Sequence, residues 1–202
     1  MLARGPWKWR YALPAAVVGA ALLAVSSLWG VAALALAGFV VWFHRDPERT
    51  PGGQGAVAPA DGKVSVIRET DDGRLRVGVF MNVHDVHVNR APLAGTVEVV
   101  EHRDGGHRPA FDKESERNER VRVTCDDYEV VLIAGAFARR IHPYVEPGDD
   151  LSRGDRISHI SFGSRADVVL PATYDRGDLR VEKGETVTAG EAVIARRSPD
   201  GE

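Results

Sequence analysis

Residue types that together can activate a serine hydroxyl occur in three separate segments of the sequence. They are an aspartate in PADG, a histidine in VHDVHVNR and a serine in FGSRAD. A histidine can take the proton of a serine hydroxyl while an aspartate holds the imidazole in the required tautomer. We therefore predict that Asp61, Ser164 and a histidine of VHDVHVNR form one catalytic group, although an Asx-turn alone would also explain Asp61.

The peptide bond between Gly163 and Ser164 is itself a candidate reactive group. It lies between two segments that are typical of strands, and the G-x-S-x-G pattern of α/β-hydrolases is absent. A glycine has no Cβ and tolerates the strained backbone that an attack on its own carbonyl requires. The alternative interpretation of this Gly-Ser pair is an ordinary hairpin bend.

A second histidine, His84, lies three residues before His87. On a regular strand their side chains would point to opposite faces, and no cysteine or third histidine has a spacing that would complete a zinc site. We therefore predict no metal site. The two histidines have separate roles, or one of them is a structural residue with its hydrogen bonds satisfied.

Short segments of alternating apolar residues, bounded by Gly, Pro, Asp or Asn, follow residue 50 and predict strands. We expect a mainly β fold, a compact β-sandwich or barrel-like domain. The segment 145–155, VEPGDDLSRGD, returns as VEKGETVTAGE at 181–191, and such glycine turns also occur in biotinyl and lipoyl carrier domains. A non-catalytic, membrane-anchored lipoyl-like β module is thus an alternative, although the carrier lysine between methionines is missing.

The N-terminal segment predicts a membrane anchor. Residues 11–43 carry no charge, and as one helix they would extend roughly 50 Å, beyond a hydrocarbon core of about 30 Å. Ser26 and Ser27 near the middle, with basic flanks, favour a helical hairpin whose two ends lie on the cytoplasmic side. The arms are short for a full crossing, so a re-entrant hairpin is an alternative. We also expect an interfacial aromatic belt of Trp7, Trp9, Tyr11, Trp42 and Phe43.

These patterns divide the chain into an anchor, residues 1–49, and a catalytic β domain, residues 50–202. A signal peptide is disfavoured because the apolar run continues through FVVWF. The anchor has a net charge of +3 and the remainder −6, so we expect no nucleic acid partner. The single cysteine, Cys125, excludes an internal disulfide. The predicted location is the cell membrane, with the catalytic domain on the cytoplasmic side.

Several segments resemble, in order, those of the phosphatidylserine decarboxylase family, over about residues 43–195. They are FHRDPERTP, APADGKV, MNVHDVHVNRAPLAG, RPAF…NER, ARRIHPYVEPGD and RGDRISHISFGSRADVVLP. The chain is most similar to the short, archaeal-type form of the family. Ala166, where a bulkier residue is expected, and His142 depart from the family pattern.

The resemblance implies a zymogen that cleaves itself and gains a covalent cofactor. His87, oriented by Asp61, would deprotonate Ser164, whose attack on Gly163 leads to a pyruvoyl group at position 164. The β chain, residues 1–163, and the α chain, residues 164–202, would remain associated.

The resemblance also implies an activity in phospholipid biosynthesis. The enzyme would convert membrane phosphatidylserine to phosphatidylethanolamine and CO₂ through a Schiff base to the pyruvoyl group. We expect His84 to protonate the product, and Arg117 and Arg120 of the polar segment 102–120 to hold the lipid phosphate. Archaetidylserine is an alternative substrate, and a soluble amino acid is a further one. The sequence leaves open whether the protein forms a homo-oligomer.

Overall fold

The structure is a computed structural model that describes residues 1–105, 118–135, 140–161 and 164–197. The chain divides into two compact units, residues 1–47 and 48–202. Glu48 and Arg49, which the sequence pattern assigned to the anchor, therefore belong to the second unit.

The first unit is a helical hairpin, as predicted. One turn of π-helix, Lys8–Ala12, leads into α1 (Leu13–Leu23), and α2 (Ser27–Phe43) follows a break at Ser26, whose backbone is extended. A Cβ on Gly30 would lie 2.5 Å from Leu23 Cδ2, so the missing side chain lets the two helices approach closely. None of the helices in the described residues is long and apolar enough to cross a membrane.

The start of the chain closes this hairpin. The N–H of Ala3 donates to the carbonyl of His44 at 2.8 Å, and the ring of Trp7 stacks on that of His44 at 4.3 Å. Trp7 and Phe43 are fully buried, whereas Trp9 and Trp42 are exposed. The predicted aromatic belt is therefore wrong for Trp7 and Phe43, whose side chains are not exposed.

The second unit is mainly β, as predicted, and its large antiparallel sheet curls into a half-barrel. The strands of the large sheet, in spatial order, are β12 (Thr186–Val187), β2 (Gly62–Glu69), β3 (Leu75–Met81), β11 (Ser164–Val169), β7 (Glu129–Ala134), β6 (Arg120–Cys125), β5 (Gly95–Arg103) and β9 (Asp150–Leu151). A second sheet contains β4 (Val88–Arg90), β10 (Arg156–Ile160) and β8 (Ile141–Pro143), and β1 (Ala56–Val57) pairs with β13 (Val193–Ala195).

One face of the large sheet forms the core, because alternate side chains of a strand point to the same face. In β3, Val77 and Val79 are fully buried and lie opposite Val168 and Ala166 of β11. Ala166, the departure from the family pattern, also lies opposite Leu132 of β7. The small alanine is thus surrounded by larger apolar side chains from both neighbouring strands.

The predicted turn repeat is present and has regular hydrogen bonds. Gly148 and Gly184 have φ values of +97° and +96°, which glycine adopts without strain. Their N–H groups donate to the carbonyls of Val97 at 2.8 Å and Val64 at 2.7 Å. Each copy of the turn therefore binds the edge of a different long strand, β5 or β2.

A second repeat, which the sequence analysis did not detect, relates these two strands. APADGKV (58–64) returns as APLAGTV (91–97), and the two copies exchange hydrogen bonds: Val57 donates to Pro92, and Arg90 donates to Pro59, both at 2.9 Å. The two halves of the unit that begin with these copies thus make reciprocal contacts, since the residue before each copy donates to the second residue of the other copy. Asp61 occupies the position of Ala94 in the other half, so the carboxylate is present in only one copy.

Candidate active site

Ser164 begins β11 in the middle of the large sheet, between Met81 of β3 and Ala134 of β7. Its side chain is fully buried on the core side, and its hydroxyl donates to the sulfur of Met81 at 3.7 Å. A thioether is a weak acceptor. The hydroxyl is therefore oriented without being held in a strong hydrogen bond.

Two further buried polar residues extend this contact. The amide of Asn89 in β4 also donates to the sulfur of Met81 at 3.7 Å, and the hydroxyl of Ser158 in β10 donates to Asn89 Oδ1 at 2.9 Å. All four side chains are fully buried. A polar chain thus connects the small sheet to the hydroxyl of Ser164.

His87 is buried immediately before β4. Its Nδ1 lies 3.0 Å from the carbonyl oxygen of Asp85, and because a carbonyl can only accept, the proton of the neutral ring is on Nδ1. Nε2 then carries the lone pair that a general base needs. The carbonyl of His87 accepts from the N–H of Ile160 at 3.1 Å, and Ile160 ends β10, shortly before β11 begins at Ser164.

Asp61 follows β1 and precedes β2, in a cluster of donors. Its carboxylate accepts from the N–H of Ala189 at 2.7 Å and from Arg49 Nη2 at 3.0 Å. The N–H of Val86, the residue before His87, also hydrogen-bonds it. Burial raises the pKa of Asp61, and these donors offset only part of that effect. Asp61 thus anchors the backbone that carries His87.

The two histidines have different environments. The side chain of His84 is 76% exposed and its Nε2 lies 3.6 Å from Asp85 Oδ1, whereas His87 is buried. The carboxylate of Asp85 also accepts from the N–H of Asn82 at 2.6 Å and closes the turn that follows β3. His84 therefore lies on the surface of this turn.

The structure places Arg120 on the other face of the large sheet. Arg120 lies opposite Ile133, and Ile133 lies opposite Arg165, so these three side chains share one face. Ser164 precedes Arg165 and points to the opposite face, into the core. The predicted site residues Gly163 and Arg117 lie outside the described residues.

Sequence reasoning missed four residues around the predicted ones. Met81 has an apolar side chain and gave no chemical signal. Asn89 and Ser158 are polar residues at inward positions of strands, which is the signal that would have found them. Asn118, in the family segment NER, is also buried, and its amide donates to the carbonyl of Ala134 at 2.7 Å, next to Ser164.

The fold and the site thus define a mainly β unit with a buried serine at the start of a central strand, a buried histidine before β4, and a carboxylate that binds the backbone next to this histidine. The model of the phosphatidylserine decarboxylase family matches residues 36–195, and the chain belongs to this family.

Similar proteins are known in archaea and bacteria. The chain is 73% identical over 196 residues to a protein of Halobacterium salinarum provisionally named archaetidylserine decarboxylase proenzyme. The aligned region covers 97% of this chain and 100% of that protein. It is 48% identical over 205 residues to the phosphatidylserine decarboxylase proenzyme of Streptomyces griseus, covering 96% and 93%. A protein of Methanococcoides burtonii with the same provisional name as the first is 42% identical over 189 residues, covering 90% and 87%.

Proposed function

We propose that this protein is a pyruvoyl-dependent decarboxylase of a serine phospholipid, and that it first cleaves its own chain between Gly163 and Ser164. The observation that carries the proposal is the buried hydroxyl of Ser164 at the start of β11, with its proton directed at the weak acceptor Met81. Family membership and the proenzyme names of the relatives support the same conclusion.

In the proposed cleavage, Nε2 of His87 takes the hydroxyl proton of Ser164. The serine oxygen attacks the carbonyl carbon of Gly163, the peptide C–N bond breaks, and the nitrogen takes up a proton, so that an ester replaces the amide. Loss of the Cα proton of residue 164 then expels the carboxylate of Gly163. Water adds to the remaining dehydroalanine and releases ammonia, which leaves the pyruvoyl group.

The surrounding residues prepare the first step. Met81 orients the hydroxyl but cannot accept its proton, so the proton remains available to a stronger base. The carbonyl of Asp85 fixes the tautomer of His87, and Asp61 holds the adjoining backbone through the N–H of Val86. We propose that Asp61 orients His87 in this way.

The two products of cleavage would stay associated because β11 is an internal strand. All six of its residues, Ser164–Val169, pair with β3 on one side and with β7 on the other. Both neighbours belong to the proposed β chain, residues 1–163. The α chain, residues 164–202, also contributes β12 and β13 to other strand pairs.

A pyruvoyl group at position 164 supplies an electron sink for the release of CO₂ from a serine headgroup. The group would be made from Ser164 itself, so the residues present fit it. We propose His84 as the proton donor to the product, since imidazole is the side chain that most often transfers protons at neutral pH. We further propose that Arg117 contributes to holding the lipid phosphate. Arg120, the other arginine expected in this role, lies on the sheet face opposite the Ser164 hydroxyl, so we do not propose that it contacts a headgroup bound at position 164.

The lipid tails separate two candidate substrates. Phosphatidylserine is supported by the names of the bacterial relatives. Archaetidylserine is favoured by the 73% identity to the Halobacterium salinarum protein. Comparing kcat/KM for the two lipids in identical micelles distinguishes these substrates.

We propose that the first unit attaches the enzyme to the cell membrane, with the second unit on the cytoplasmic side. Among the described residues, all but two of the exposed large apolar side chains lie in the first unit, the exceptions being Val83 and Val99. Basic residues on both sides of the apolar segment 11–43 support the orientation. Resistance of the protein to extraction from membranes by high salt tests this attachment.

The activity is tested directly with phosphatidylserine labelled with ¹⁴C at the serine carboxylate. Wild-type protein is expected to release labelled CO₂, and a Ser164→Ala variant is expected to release none. Release of CO₂ by the folded Ser164→Ala variant would refute the proposal.

A further inference from the structure

A groove on the outer face of the large sheet brings together five arginines that are distant in sequence. It has a volume of about 340 Å³, and its arginines come from β2, β3, β6 and β11: Arg68, Arg76, Arg120, Arg122 and Arg165. We call it the arginine groove. The arginine side chains of the groove point away from the core, whereas the hydroxyl of Ser164 points into the core.

Asp167 fixes one side of the arginine groove. Its fully buried carboxylate accepts two hydrogen bonds from Arg165, at 2.8 and 3.2 Å, and lies 3.8 Å from Arg76 Nη1. Gly78 lies opposite Asp167 in β3, and a Cβ at Gly78 would be 2.5 Å from Asp167 Oδ1. The glycine therefore makes room for the carboxylate that positions these arginines.

Glu129 fixes the other side. Its carboxylate accepts from Arg122 Nη1 at 2.9 Å and also from Arg74. Two carboxylates thus determine the positions of four guanidinium groups before any ligand is present. Such preorganisation reduces the entropy that a ligand would otherwise have to overcome.

The charge of the arginine groove contrasts with that of its unit. Residues 48–202 contain 22 Lys/Arg and 28 Asp/Glu, a net charge of −6. The lining residues of the groove and their ion-pair partners together contain seven arginines and five carboxylates. They are Arg68, Arg74, Arg76, Arg120, Arg122, Arg165 and Arg176, with Glu69, Asp71, Asp72, Glu129 and Asp167. The arginine groove is therefore a concave site of net positive charge on a unit whose net charge is negative.

The floor of the groove is apolar. Val131 and Ile133 of β7 line it, and each is less than 5% exposed. Charge-assisted hydrogen bonds strengthen where water is partly excluded, and the planar fork of arginine matches the geometry of phosphate oxygens.

From these features we propose that the arginine groove is a binding site for a phosphate group, supplied by an anionic lipid headgroup or by free phosphate. This site lies on the sheet face opposite the Ser164 hydroxyl, and it does not depend on the proposed decarboxylation. Arg120, expected from the sequence to hold the substrate phosphate, belongs to it.

Chemical modification of arginine by phenylglyoxal, read by peptide mass spectrometry on the full-length protein, tests the site. Sodium phosphate, compared with sodium chloride at the same ionic strength, is expected to slow modification of Arg68, Arg120 and Arg122. The exposed Arg103 and Arg180, which lie outside the groove, are the internal controls. Equal modification of the groove arginines in phosphate and in chloride, and in both vesicle types described next, would overturn the proposal.

Vesicles distinguish the two sources of phosphate. Protein bound to phosphatidylglycerol vesicles is compared with protein bound to phosphatidylcholine vesicles. Added protection by phosphatidylglycerol identifies an anionic headgroup as a ligand, and protection by inorganic phosphate alone identifies free phosphate. Either result supports the site.

A pair of double variants provides the matched control. Arg68→Gln with Arg122→Gln removes two groove charges that are not buried, and Arg103→Gln with Lys183→Gln removes two exposed charges elsewhere. The first variant is expected to need roughly tenfold more phosphate to protect Arg120, as for the loss of charge-assisted hydrogen bonds. The control is expected to match the wild type.

Chain cleavage is measured on the same samples, so that the two proposals can fail separately. Cleaved protein without phosphate protection would contradict only the arginine groove. Protected protein that remains a single chain would contradict only the proposed self-cleavage.

Discussion

The hydroxyl of Ser164 lies 3.7 Å from the sulfur of Met81, and both side chains are fully buried. Asn89 donates to the same sulfur, so one thioether is shared by the proposed nucleophile and by a buried amide. The sulfur can accept a weak hydrogen bond but cannot act as a base at neutral pH. We therefore infer that Met81 positions the hydroxyl for the first step of the proposed self-cleavage.

Replacing Met81 by leucine tests this positioning. Met81→Leu conserves volume but removes the acceptor, so we expect self-cleavage to slow by roughly threefold to tenfold, the worth of a weak hydrogen bond. Pulse-chase labelling of the precursor measures the rate. Leu132→Met, a volume-conserving exchange in the same core, is the control and should cleave at the wild-type rate. Equal rates for Met81→Leu and wild type would exclude the positioning role.

The two histidines are expected to affect different stages. His87→Ala should leave the chain uncut, because it removes the base that the buried ring provides. His84→Ala should be cut but should decarboxylate more slowly, by about 10²-fold to 10⁴-fold for the loss of a proton donor. Gel analysis and CO₂ release, measured on each variant, separate the two effects. A cut His87→Ala protein or an uncut His84→Ala protein would reverse the assignment.

Gly62, next to Asp61, is expected to contribute strongly to the stability of the second unit. Its φ is +135°, and a Cβ there would lie 2.1 Å from the carbonyl oxygen of Phe80 in β3, which is part of the sheet backbone. Gly62→Ala should therefore destabilise the protein by about 3 kcal/mol or more.

Gly73 is the matched control for Gly62. It also has a positive φ, +81°, but a Cβ there meets nothing within 4 Å, so Gly73→Ala should cost only about 1 kcal/mol. Denaturant unfolding of the two full-length variants compares the effects. Similar losses of stability would show that the approach of Phe80 is unimportant.

The pH dependence of stability should reveal Asp167. Burial raises its pKa above the ordinary 3.8, and Arg165 and Arg76 offset only part of this effect. The folded state thus holds the proton to higher pH than the unfolded state, so this group's contribution to stability falls as pH rises from about 3.8 through the folded pKa. Above that range its contribution is constant.

Asp167→Asn removes this titration. The unfolding free energy of wild type minus that of Asp167→Asn should therefore decrease as pH rises through the same range. Leaving Arg165 without its partner lowers the stability of the variant at every pH. The test therefore rests on how the difference in unfolding free energy changes with pH and not on its absolute size. Denaturant unfolding at a series of acidic pH values measures it. A difference that increases with pH would show that ion pairing outweighs burial.

The sequence was sufficient for the elements whose signal is local. Alternating apolar residues predicted the mainly β fold because burial on one face of a strand has a period of two residues. The break at Ser26 predicted the helical hairpin, since a single helix of that length would exceed the bilayer. The relation between APADGKV and APLAGTV could also have been read from the sequence, where the two segments form a visible repeat, but it was not predicted.

The sequence was insufficient where strand register decides the contacts. Ser164 and Met81 are 83 positions apart in the sequence. They meet only because β11 inserts between β3 and β7. The arginine groove depends on the same insertion, which brings Arg165 to the face that carries Arg76 and Arg122. Single-strand patterns show which residues share a face, but they do not show which strands are neighbours.

The intact mass of the purified, denatured full-length protein tests the central claim most directly. We predict two chains, residues 1–163 and 164–202, the second with 39 residues and with a ketone in place of its N-terminal amine. The Ser164→Ala variant, measured in parallel, should remain one chain. A folded wild-type protein that is a single chain of 21.9 kDa, and that an amine with borohydride does not label, would contradict the account.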